Sequence, residues 1–179
     1  MAEDWRGKIG GMSEERMNLY LAGSTNARVA VLDDDGRPYV LPLWYHWDGD
    51  AFWFVIRQRS AIARHMKARP DVGLVIDDTT VSDPENGRMF EMPKVFAQGN
   101  AEVIEEPNVG GRWVEYATKM ATRYLGPNGP DYIVPTLEQP RWLFRVAPDH
   151  VKTWEGVGWA KGYWVEGEKG PSYEEVHGN

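Results

Sequence analysis

Apolar and polar residues alternate in short runs along most of this chain, a period of two that predicts strands, with a few stretches at helical spacing between them. The densest signal lies between Asp33 and Pro70. From Pro38 to Trp47, Tyr39, Leu41, Leu43, Tyr45 and Trp47 fall to one side and Val40, Pro42, Trp44 and His46 to the other. Both sides are largely apolar, so this strand is expected to be covered on both faces. Pro42 has no backbone N–H and predicts a bulge or a break in pairing. Upstream, Asp33-Asp34-Asp35-Gly36 forms a turn after a strand at 28–32. Downstream, Asp48-Gly49-Asp50 returns the chain into Ala51 to Arg57, where Trp53 and Val55 alternate against Phe52, Phe54 and Ile56.

Helical signals punctuate these strands. Ser13 is a plausible N-cap, followed by Glu14 and Glu15, which suit the positive end of a helix carrying Met17, Tyr20 and Leu21. A second helix runs from Ala61 to about Arg69, opening at Ser60 and stopping before Pro70. A strand at 72–76, a polar loop at 78–91 and a long strand at 92–104 with an irregularity at Gly99 follow. A third helix over 111–125 places Trp113, Ala117, Met120 and Ala121 on one stripe, and Gly126-Pro127 ends it ahead of a Pro/Gly-rich loop. Trp142 to Val146 and His150 to Trp154 read as two closing strands around Ala147-Pro148-Asp149. Six or more mostly antiparallel strands with two or three helices favour a small closed barrel over an open sheet. The organisation expected is an N-terminal arm at 1–12, one domain at 13–155 and a Gly- and aromatic-rich tail at 156–179. That tail is read as disordered or packed on a partner subunit.

Composition narrows the function classes. The net charge of -7 opposes bulk attraction to nucleic acid or anionic membrane, although a small barrel could still bind a strand through Arg57, Arg59, Arg64, Lys67 and Arg69. With no cysteine, disulfides and thiolate chemistry are excluded. The start lacks the apolar run of a signal peptide and no stretch suits a membrane span, so a cytoplasmic protein is expected. Nine tryptophans exceed what one small core ordinarily needs, and some of them are expected to cover a ligand or a subunit interface.

Two stretches carry candidate chemistry. Arg57-Gln58-Arg59-Ser60 opens the second helix, with Arg64 one turn in, and a helix N-terminus flanked by cations suits a phosphate. A solvated cationic loop before an ordinary capped helix is the alternative. A flat heterocycle could lie along Pro42, Leu43, Trp44 and Tyr45, where plain core packing is the competing reading. His46, His65, His150 and His177 lack ligand-like spacing, and His65 reads as an ordinary surface or interface residue. No metal site, calcium loop, Walker loop or dinucleotide fingerprint is evident.

The run Asp35-Gly36-Arg37-Pro38, Pro42-Leu43-Trp44-Tyr45, Trp47-Asp48-Gly49-Asp50, Phe54, Ser60, Arg64 and Arg69-Pro70-Asp71-Val72 resembles the pyridoxamine 5′-phosphate oxidase-like, flavin-binding split β-barrel superfamily. Phe96-Ala97-Gln98-Gly99-Asn100-Ala101-Glu102-Val103 and Val146-Ala147-Pro148-Asp149-His150-Val151 with Trp154 are similar to its later strands. The resemblance implies a mainly β fold with flanking helices, a six-stranded antiparallel split β-barrel, and a homodimer with FMN, or in one branch F420, at the interface. It also implies an FMN-dependent oxidoreductase, with an F420-dependent reductase and a non-enzymatic flavin or haem carrier as alternatives. In the haem case His46 or His65 would be the axial ligand. Carried onto this sequence, Arg57, Gln58, Arg59, Ser60 and Arg64 would hold phosphate, and Pro42, Leu43 and Trp44 would flank the ring. Gln98 and Trp154 would come from the partner subunit. One position departs: many relatives carry Lys two residues after the position of Ser60, where this chain has Ile62.

Overall fold

The structure is a computed structural model that describes residues 11–78, 92–156, 167, 170–171 and 173–178. The first helix, α1 (Glu14–Leu21), starts where Ser13 accepts a hydrogen bond from the Arg16 N–H, and it buries Tyr20 and Leu21. Then come β1 (Ala27–Leu32), β2 (Pro38–Leu43), β3 (His46–Trp47), β4 (Phe52–Arg57), α2 (Ala61–Ala68) and β5 (Asp71–Asp77). β6 (Lys94–Asn108), α3 (Trp113–Leu125), two 3₁₀ turns, β7 (Arg141–Trp154) and the short α4 (Tyr173–His177) complete the order. The polar loop, the N-terminal arm and most of the tail expected from sequence lie outside the described residues.

The strands form one seven-stranded sheet in the order β2-β1-β5-β6-β7-β4-β3, and every pairing is antiparallel. This overturns the closed six-stranded barrel. The architecture is mixed α/β with an open sheet whose two edges are β2 and β3. Edge position suits both strands: β2 carries Pro38 and Pro42, which cannot donate to a further ladder, and β3 is only two residues long. The expectation that both faces of β2 are covered is corrected as well, since Pro42 is exposed and Val40 is 55% exposed. Pro42 itself stays in register opposite Arg28, and the pairing breaks two residues later at Trp44-Tyr45.

The period-two pattern of β4 sorts the core. Phe52, Phe54 and Ile56 join α1, α2, β1, β5, β6 and β7 residues in the larger apolar cluster, while Trp53 packs on the other face with Trp113, Ala117 and Ala121 of α3. Of the six tryptophans in the described segments, Trp53, Trp113, Trp142 and Trp154 are buried. Most of the described tryptophans therefore serve packing.

β6 shifts register between Gln98 and Gly99, as the glycine predicted. A Cβ on Gly99 would lie 2.6 Å from the Ala147 carbonyl oxygen, so glycine is required by the close approach of β7. The two closing strands read from sequence are instead one strand, β7. Gln98 faces His150 and Gly99 faces Pro148, so Asp149 is the extra residue of a bulge and the proline kinks the strand without turning it.

Candidate functional site

A hollow of about 280 Å³ opens between the end of β4, the β2–β3 break and α3. Pro42, Leu43 and Trp44 line one side, Val55 and Arg57 another, with Met120 of α3 and Arg141 of β7 closing it. Arg57 also lines a second hollow with Gln58, Arg59 and Pro140. Seven residues named from sequence are thus assembled locally: a flat apolar wall at one end, arginines at the other, and Ser60 at the start of α2.

The wall is held from behind. Trp44 stacks on Tyr124 with centroids 4.8 Å apart and planes 2° from parallel. Arg123 fixes that tyrosine, donating to its hydroxyl at 2.9 Å, to the Leu21 carbonyl at 3.2 Å and to the Tyr45 carbonyl. Its guanidinium carbon lies 4.6 Å from the ring centroids of both Tyr45 and Tyr124. Burial pushes both phenols above their ordinary pKa, so they act as neutral hydrogen-bonding groups.

The cationic end differs from the expectation in three ways. Ser60 occupies the N-cap position of α2 with extended backbone, but its hydroxyl makes no capping bond. Arg64 points elsewhere, pairing with Asp34 in the β1–β2 turn at 3.1 Å. Ile62 is 1% exposed in the core, so the turn of α2 aims that position inward. A lysine there would carry an unpaired charge into apolar surroundings, and the departure at Ile62 is a packing requirement of this chain.

Arg141 is the residue sequence reasoning missed. It pairs directly with Arg57 across β4 and β7, is 8% exposed, donates to the Thr136 hydroxyl, and lies 4.8 Å from the centroid of the Trp113 ring. Burial, then the neighbouring Arg57, pull its pKa below the ordinary arginine value. Only the strand register reveals this pairing. His65, expected at a surface, is 4% exposed, with Nδ1 3.3 Å from an Asp34 oxygen and its ring edge-on to Tyr39.

Gln98 and Trp154 are not among the lining residues of either hollow. Gln98 is exposed on β6 and lines a separate concavity with Gly73 and Phe96, while Trp154 is buried opposite Lys94 at the far end of β7. Among the described residues no group of three or more metal-ligating side chains occurs, and no helix is long and apolar enough to cross a membrane.

Comparison with known proteins places this geometry. No curated protein matches. A conserved hypothetical protein from Mycobacterium tuberculosis superposes with a TM-score of 0.64 at 22% identity, over 90% of this chain and 94% of that one. A structure described as an F420 reductase gives 0.55 at 23% identity, over 75% and 94%. The haem storage protein of Vibrio cholerae gives 0.56 at 18%, over 78% and 94%. At these identities the likeness establishes the fold. A family model, described as pyridoxamine 5′-phosphate oxidase, matches residues 13–155, most of the chain. The chain belongs to the pyridoxamine 5′-phosphate oxidase family.

Proposed function

We propose that this protein is an FMN-dependent oxidoreductase that works as a homodimer. The observation that carries the reading is that Arg57 lines both a hollow walled by Pro42, Leu43 and Trp44 and a second one with Gln58 and Arg59 beside the start of α2. The residues present fit the group. A planar ring finds apolar and aromatic surface, and a phosphate finds Arg57, Gln58, Arg59 and the uncommitted Ser60 hydroxyl. Arg64, engaged with Asp34, is left out of this set.

When bound, FMN supplies the hydride and one-electron chemistry. The chain's own residues bind and orient. Trp44, seated on Tyr124, excludes water from one side, and the guanidinium groups neutralise the phosphate.

The dimer is supported by the outward face of the sheet. The register puts Val40, Ala30, Gly73, Gln98 and His150 on one rung crossing five strands, and that rung faces away from the larger core. Its central positions, Ala30 and Gly73, are small, and a second copy laid there would bring its own Gln98 close to the interface. Trp154 is the other residue assigned to the partner's contribution.

The test is the absorption spectrum of the protein purified from a host that makes both flavin and F420, followed by titration with each. A flavin spectrum supports the reading, an F420 spectrum moves the chain to the deazaflavin branch, and a Soret band after haem addition marks a carrier. A colourless protein with no change on titration overturns it.

A further inference from the structure

We propose that Arg141 is a ligand for the phosphate of the cofactor, forming with Arg57 a clamp across two neighbouring strands. The proposal rests on the flavin reading above and adds a residue that the cationic run at the start of α2 does not contain.

Four observations converge on it. Arg57 and Arg141 are direct cross-strand partners, and like charges opposite each other weaken a ladder. Both line the first hollow, Arg141 beside Arg57, the residue that also lines the second. Among the described residues neither forms an ion pair with a carboxylate, whereas Arg16, Arg28, Arg64 and Arg145 each find one. Finally, Arg141 is 8% exposed and its Nε is buried with no hydrogen-bond partner, so one donor of its fork is unsatisfied.

A buried guanidinium with an unused donor and a second guanidinium beside it is a costly arrangement unless an anion sits between them. The anion must answer two full positive charges and offer several acceptor oxygens. A phosphate monoester does both, with a charge near -2 and three terminal oxygens. The Trp113 ring behind the guanidinium holds its plane, which suits a fork-like contact. The clamp also accounts for the missing lysine: with Ile62 committed to the core, the second cation arrives from β7 instead of α2.

The experiment compares FMN with riboflavin, which has the same ring and no phosphate. Both are titrated into the full-length protein and into Arg141→Met and Arg141→Lys, following quenching of flavin fluorescence. A thermal melt of each flavin-free protein with and without inorganic phosphate runs alongside. The clamp predicts that Arg141→Met weakens FMN about tenfold to a hundredfold and leaves riboflavin within about twofold. Arg141→Lys recovers part of the loss, and phosphate raises the melting temperature of the parent most, of Arg141→Lys less and of Arg141→Met not at all. Equal losses for both flavins, or an unchanged FMN affinity, overturn the clamp. If Arg141→Met does not fold, the FMN-to-riboflavin ratio in Arg141→Lys decides. If the parent binds neither flavin, the flavin reading fails separately. The phosphate melt then judges the anion site, and no rise in the parent overturns it.

Discussion

Replacing Arg123 by methionine tests whether the Trp44 wall of the first hollow is built from behind. The substitution keeps a long apolar stem and removes three donations, to the carbonyls of Leu21 and Tyr45 and to the Tyr124 hydroxyl. The losses are unequal. The Leu21 carbonyl still accepts from the Tyr45 hydroxyl at 3.1 Å, and the Tyr124 hydroxyl still donates to the Thr25 carbonyl at 3.2 Å. The Tyr45 carbonyl loses its side-chain donor, at about 1–3 kcal/mol. The two bonds whose acceptors keep other partners, at about 1 kcal/mol each, and two cation–π contacts at about 0.5–1 kcal/mol each add about 3–4 kcal/mol together. Set against this, the parent already carries a buried Arg123 Nε without a partner and a partly desolvated charge, both relieved by methionine. The net destabilisation is about 3 kcal/mol. With a urea slope of about 2 kcal/mol/M, the unfolding midpoint should fall by about 1.5 M. Because Trp44 rests on Tyr124, FMN and riboflavin should weaken together, unlike the phosphate-selective effect expected at Arg141. A midpoint shift below about 0.3 M, or a loss confined to FMN, refutes the reasoning.

Three further outcomes follow from single contacts. Gly99→Ala should cost about 1–3 kcal/mol in denaturant unfolding, because its Cβ meets backbone at 2.6 Å, while Gly73→Ala, whose nearest neighbour is Ala30 Cβ at 3.9 Å, should be neutral or mildly stabilising. His46 has its pKa lowered from 6.5 by burial and by Lys119 and Arg123, so protonation favours the unfolded chain. Stability should fall as pH drops below 6.5, and thermal melts should show His46→Gln losing part of that slope. Burial acts to raise the Asp48 pKa, but hydrogen bonds from Trp53 Nε1 and the N–H groups of Asp50 and Ala51 outweigh it, leaving a net fall below 3.8. Its contribution is present above that value and lost as pH falls through the folded pKa, so the stability gap to Asp48→Asn should narrow between pH 7 and about 3. A gap that stays constant would sink that assignment.

What the sequence disclosed was local. The Ser13 cap, the alternation in β4, the stripe of α3 and the irregularity at Gly99 all depend on residues near one another, and each is present. That Pro42 to Trp44 and Arg57 to Arg59 line neighbouring hollows was legible for the same reason. Relations across the sheet were not. The apolar outer face of β2 looked like core because Val40 and Pro42 give an exposed edge strand the same local pattern as an interior one. Pro148 looked like a turn because bulge and turn favour the same chemistry. The Arg57–Arg141 rung is set by register between strands far apart in sequence, and no local pattern encodes it. His65 illustrates the limit: its burial depends on Asp34 and Tyr39, which come from a different hairpin.

The position of β7 has a consequence for how this molecule comes into being. Among the described residues it is the last strand in sequence yet lies between β6 and β4, so there it alone joins the block β2-β1-β5-β6 to the block β4-β3. A nascent chain that has not released Arg141–Trp154 holds two sheet fragments with unpaired edges and an incomplete hollow. Loop closure over such separations is slow relative to hairpin formation, and open edges are prone to pair with other chains. Completion of the hollow and protection from aggregation therefore arrive in the same late step.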